Sequence, residues 1–99
     1  MKIEILESAE RDLIEGFQFY EQQSTGLGNY FLDSLFSDID SLLIYAGIHV
    51  VYHNHFFQMQ SKRFPFTIYY KLSGDIVKVY AVLDTRKNPA WIREKIENL

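Results

Sequence analysis

Ninety-nine residues with a net charge of −3 leave room for one domain, residues 1–99, and no second core. Apolar residues make up 47%, enough for a small core, and the absence of cysteine excludes disulfides and thiolate metal sites and fits a reducing cytoplasm. The opening Met1-Lys2-Ile3-Glu4-Ile5-Leu6-Glu7 turns acidic at once, unlike a signal peptide, and no apolar run approaches the roughly 20 residues that span a bilayer.

Lys2 to Leu6 alternates Ile3 and Ile5 against Lys2 and Glu4, the pattern of a short strand with one buried face. Ser8 is then the expected N-cap of a first helix, with Glu10 and Asp12 in its first turn, where the helix dipole favours negative charge. Ala9, Leu13, Phe17 and Tyr20 recur at helical spacing and carry that helix to about Ser24. Gly26-Leu27-Gly28 interrupts the chain. A second helix follows, with Phe31, Leu35, Ile39, Leu42 and Ala46 as one stripe, widened by Leu32, Phe36 and Leu43. Asp33, Asp38 and Asp40 mark its wet side, and Gly47 stops it. The short loop makes the two helices an antiparallel hairpin.

From Ile48 the period changes. Val50-Val51-Tyr52 and Phe56 to Ser61 read as extended. Phe66, Ile68, Tyr70 and Leu72 share one face of a strand, with Thr67, Tyr69 and Lys71 on the other, and Ser73-Gly74-Asp75 turns the chain. Val77, Val79, Ala81 and Leu83 line one face of the returning strand, with Lys78, Tyr80 and Val82 opposite. Regular parity would place Asp84 and Arg86 on the Tyr80 face. Asn88-Pro89 reads as N-cap and first residue of a last short helix through Trp91, Ile92 and Ile96. The order is β-α-α-β-β-β-α. It describes an α+β domain: an N-terminal strand, a helical hairpin packed on an antiparallel sheet and a short C-terminal helix.

Charge is uneven along the chain. Residues 1–49 hold two basic and nine acidic side chains, and residues 50–99 hold eight basic and four acidic ones, the signature of one acidic and one basic face. Arginines stand at the entry of the first long strand, in Lys62-Arg63-Phe64-Pro65-Phe66, and at the exit of the second, in Asp84-Thr85-Arg86-Lys87.

Taken in order, several fragments resemble the RelE/ParE family of toxins from type II toxin–antitoxin modules, also called plasmid stabilisation proteins. They are Ala9, Leu13 and Tyr20; Leu27-Gly28 with Phe31 and Leu35; Phe64-Pro65-Phe66 with Ile68 and Tyr70; and Ala81-Val82-Leu83 followed by Arg86 and Pro89-Ala90-Trp91. The resemblance implies a cytoplasmic growth inhibitor without cofactor or metal, silenced by a cognate antitoxin with which it forms an oligomer. Two branches of that family differ in target. ParE-like members poison DNA gyrase; RelE-like members cleave mRNA on the ribosome. A degenerate member would bind its antitoxin and do no harm.

RNA cleavage by 2′-hydroxyl attack needs a base, a neutralising charge at the phosphorane and an acid for the leaving oxygen. By the resemblance, Arg63 and Arg86 match the family's two sheet arginines, suited to phosphate by a planar fork that keeps its charge. Asp84 stands where many members have histidine and is the candidate substitute base. Lys62 and Lys87 are candidate contacts to RNA or another target. Beyond Arg86 the chain has Trp91 and Ile92 where RelE-like enzymes place a tyrosine, and neither transfers a proton. The residues therefore leave open whether the chain is an enzyme.

Other residues carry plainer readings. His53 and His55 supply two ligands at most, short of a zinc set, and with His49 they stay as proton-transfer candidates. Tyr69, Tyr70 and Tyr80 read as packing, Trp91 as the anchor of the last helix, and Phe56, Phe57 and Met59 as core or antitoxin-facing.

Overall fold

The computed structural model describes residues 1–52 and 55–99. Strand β1 (Lys2–Ile5) leads into helices α1 (Glu7–Gln23), α2 (Leu27–Asp40) and α3 (Leu42–Tyr45). Strands β2 (Val50–Tyr52), β3 (Phe56–Gln60), β4 (Phe66–Ser73) and β5 (Ile76–Asp84) follow, then helix α4 (Pro89–Glu97). They build one five-stranded sheet in the order β1-β5-β4-β3-β2. The α+β expectation holds, with two refinements. The segment before β4 forms two strands, β2 and β3. The sheet is mixed, because β1 lies parallel to β5 while all other pairs are antiparallel.

The two faces of the sheet hold separate cores. Phe31, Leu35, Ile39 and Leu42 from the helices meet Ile68, Tyr70, Val77, Val79 and Val82 on one face. On the other, Ile96 of α4 packs on Phe56, Tyr69, Ala81 and Leu83. Complete burial of a large apolar side chain contributes roughly 1.5–3 kcal/mol, so the first face dominates.

The division between faces departs from strict alternation. Tyr69 pairs with Ala81 and Tyr70 with Val79, so Tyr80 is an extra residue in β5, a β-bulge. Before it, Val77 and Val79 face the helices; after it, Val82 does, and Ala81 and Leu83 turn to α4. The expected face of Val77, Val79, Ala81 and Leu83 is thus split by one inserted residue. Asp84 consequently points to the hairpin side, not to the Tyr80 side.

Side chains of α1 complete the edge of β5 where β1 ends. The Leu6 N–H donates to Val79 O at 3.0 Å, the last such bond from β1. One turn into α1, Ser8 Oγ donates to Tyr80 O at 2.6 Å, and Asp12 Oδ2 accepts the Val82 N–H at 2.9 Å. Residues four apart share a helix face, so Ser8 and Asp12 meet backbone groups that would otherwise be left unbonded. This overturns Ser8 as N-cap: Leu6 holds that position, without a side-chain cap.

The hairpin closes tightly. A Cβ on Gly16 would lie 2.5 Å from the Phe31 ring, and one on Gly28 2.8 Å from the Phe17 carbonyl. Glu21 accepts from the Gly26 and Gly28 N–H groups at 3.0 and 2.9 Å, capping α2 from the preceding helix. The long second helix expected through Ala46 breaks at Ser41, whose Oγ donates to the Asp38 carbonyl at 2.6 Å and competes with the helical ladder. Phe36 and Leu43, expected to widen the stripe, are exposed. Asn88 caps α4 as read, accepting the Ala90 N–H at 2.8 Å ahead of Pro89. No described helix is long and apolar enough to cross a membrane.

Candidate functional site

The turn before β4 and the exit of β5 meet at one end of the sheet. Phe66 pairs with Asp84, and Thr85 donates to Pro65 O through its N–H at 2.8 Å and its Oγ1 at 3.0 Å. Phe64 anchors the turn by packing on the rings of Tyr20, Tyr30 and Phe31. Asp38 anchors its other side: buried on α2, it accepts from Ser61 Oγ at 2.7 Å and from the Lys62 N–H at 3.2 Å. Asp38 therefore belongs to the packed side of α2, against the reading of it as solvated. These anchors bring the segments of Lys62, Arg63, Asp84, Arg86 and Lys87 to one tip. Lys62 and Arg63 are exposed there and form no ion pair among the described residues.

Asp84 and Arg86 form a two-pronged pair. Arg86 Nε lies 3.0 Å from Asp84 Oδ1 and Nη2 lies 2.8 Å from Oδ2, while the Arg86 N–H also donates to Oδ1 at 2.9 Å. The guanidinium holds the Asp84 carboxyl below the usual carboxylate range. A carboxylate so stabilised is a weak base, and its chemistry here is to orient the arginine. Nη2 also reaches the Tyr20 hydroxyl at 3.5 Å. Burial raises the Tyr20 pKa, against the pull of Arg86, so the phenol keeps its proton at neutrality. The oriented fork leaves Nη1 without a hydrogen bond among the described residues, open to a phosphate, a carboxylate or a carbonyl.

Beside this pair runs a groove between α1 and β5, lined by Asp12, Glu15, Phe19, Asp84, Lys87 and Trp91. Burial lifts the Asp12 pKa to about 6, although the Val82 N–H opposes the rise. Trp91 is partly exposed, its ring 5.4 Å from both the Lys87 and the Lys95 ammonium. Ile92 and Ile96, not Trp91, seat α4 on the sheet.

The histidines lie elsewhere. His49 Nδ1 bonds the buried Tyr70 hydroxyl, which also accepts the Gly47 N–H at 2.9 Å, and burial lowers the His49 pKa. His55 lines a depression with Lys71, Arg93 and Glu97. His53 lies outside the described residues. Phe56 and Met59 are core, and Phe57 stacks on Tyr70. Sequence reasoning missed Asp12, Tyr20 and Asp38 as members or supports of this tip. Asp12 read as a first-turn acid and Asp38 as a solvated helix residue, and only Tyr20, one of the residues that carry the resemblance, gave any signal.

A parallel N-terminal strand, a helical hairpin, a mixed five-stranded sheet and a C-terminal helix compose the RelE/ParE toxin fold. Among solved structures, the chain is similar to one in the "Chromosomal ParDE TA system from P. aeruginosa", with a TM-score of 0.71 over 87% of this chain and 97% of that one. Sequence identity is 13%, so the likeness is one of fold. No family model matches the sequence, and no curated protein matches it.

Proposed function

We propose that this chain is the toxin of a type II toxin–antitoxin module, ParE-like or divergent, which inhibits growth by binding an essential target of the gyrase kind. A cognate antitoxin neutralises it in a shared oligomer in the cytoplasm. One observation carries the binding reading: Arg86, one of the two arginines matched to the family's sheet arginines, is locked by Asp84 in a geometry that presents a guanidinium edge. The same lock weakens Asp84 as a base. Arg63, Lys62 and Lys87 extend the basic tip, and phosphate or carboxylate groups on the target are its natural complement.

The antitoxin contributes a segment that folds on binding, seated by apolar anchors and drawn by the charge difference between the two halves of the chain. A second reading, a RelE-like endoribonuclease, is favoured by the Tyr20 hydroxyl beside Arg86, a phenol placed to give a proton to a leaving oxygen. Expression without a partner separates the readings. Arrest with a DNA-damage response and intact mRNA supports the binding toxin, and arrest with new mRNA ends supports the nuclease. Normal growth with folded protein refutes both and leaves an antitoxin-binding module without toxicity.

A further inference from the structure

We infer that two copies of this chain associate across the β2 edge, as a two-fold dimer in which one apolar strip covers its counterpart. From Ser41 to Ser61 the sequence contains no Asp, Glu, Lys or Arg. That stretch folds as α3, β2 and β3, with β2 at the open edge of the sheet. Ile44, Ile48 and Val50 are 78%, 74% and 70% exposed, and Leu43, Tyr45 and Val51 are exposed as well; Val51 shares the hairpin face of the edge with Phe57, and Val50 the opposite face with Phe56. Leu72 continues the strip, since its Cδ1 would lie 3.3 Å from a Cβ on Gly47.

Soluble proteins commonly guard an edge strand with lysine, proline or a bulge. No charged residue or proline stands in β2 or the segment before it. Brevity is the guard that remains: β2 has three residues and offers few backbone bonds, so apolar side chains must supply most of the contact. Together these exposed side chains offer an apolar surface on the order of the 800 Å² that each partner buries in a stable complex.

Charge selects a second copy as the occupant. The hairpin half of the chain is strongly acidic and the strand half basic, so an antitoxin drawn by charge has those faces to read. The strip carries no formal charge. Two copies therefore meet there without like-charge contact, and a two-fold axis needs only a surface complementary to itself. Antiparallel pairing centred on Val51 would join two sheets into one of ten strands.

Sedimentation velocity of the purified chain, from low to high micromolar concentration, tests this without relying on the toxin reading. The expected result is a dimer that Ile48→Lys and Val50→Lys each convert to monomer with an unchanged circular dichroism spectrum. Ile14→Lys, an exposed apolar position on α1, should leave the dimer intact. Because the chain has no cysteine, Val51→Cys supplies a second measurement: oxidation should link it into a covalent dimer, and Ile14→Cys should form no cross-link between copies. A wild-type monomer throughout the range, a dimer indifferent to both lysine variants, or failure of Val51→Cys to cross-link would overturn the inference.

Discussion

Asp12 lies against the unpaired end of β5, where its Oδ2 takes the Val82 N–H while desolvation lifts its pKa to about 6. The folded pKa is above the unfolded one, so ionised Asp12 costs stability at neutral pH, and the cost is relieved as pH falls from about 6 toward the unfolded value. Asp12→Asn keeps an acceptor for Val82 and removes the charge. It should stabilise the fold at about pH 7.5 by on the order of 1 kcal/mol, after discounting for partial exposure, with the gain closing by about pH 4. Chemical denaturation across that range is the measurement. His49 works in the opposite direction. Its pKa is lowered, so the neutral ring that bonds Tyr70 contributes above the unfolded value, and the contribution disappears as pH falls through the lower folded value. His49→Gln should flatten the acid side of the wild-type stability profile below about pH 6.5. Neither residue announced itself in the sequence. Asp12 read as a first-turn acid and His49 as an unassigned proton carrier, because their roles depend on Val82 and Tyr70, both distant in the chain.

The helical hairpin depends on two glycines and a carboxylate. Gly16→Ala improves intrinsic helix propensity by about 1 kcal/mol. Yet the new methyl meets the Phe31 ring, itself held among Tyr20, Phe64 and Phe66. Overpacking of this kind costs typically 1–3 kcal/mol, so the net effect should be destabilising, seen as a lower denaturation midpoint. Glu21→Ala removes the cap on α2 and should cost about 0.5–2 kcal/mol by the same assay. At this scale the sequence was largely legible: apolar stripes located both long helices, Gly26 and Gly47 their breaks, and Asn88-Pro89 the start of α4. What escaped was the division of labour within an element. The bulge at Tyr80 leaves Ala81, Val82 and Leu83 all apolar, and three apolar residues in a row do not say which one changes sides. Ser41 looked compatible with a continuing helix until its hydroxyl was seen on the Asp38 carbonyl.

The whole molecule presents a basic tip at one end of the sheet, an acidic helical surface and an uncharged edge. Arg63→Ala with Arg86→Ala should reduce growth inhibition at least tenfold in the dose of inducer required, on the order of the 1.4 kcal/mol lost with one charge-assisted contact. A folded double variant that inhibits growth as strongly as the wild type would remove both arginines from the mechanism. The order of elements and the two arginines were legible because they sit in local sequence patterns, strand entry, turn and strand exit, that can be read without knowing what packs against them. The Asp84–Arg86 geometry and the Tyr20 contact were not, since they arise where a strand end, a turn and a helix converge.

The extra residue at Tyr80 also acts as a switch of address. Every side chain after it in β5 reports to the opposite layer from the one that counting by twos would give. Removing a single codon at this point would send Asp84 from the hairpin layer to the α4 layer and strand Arg86 away from Tyr20, with both arginines still encoded. Among proteins of this fold, an insertion or deletion in the β5 strand is therefore a route by which a charged tip changes the surface it serves. Alignments that slide one residue here will pair the right letters with the wrong side of the sheet.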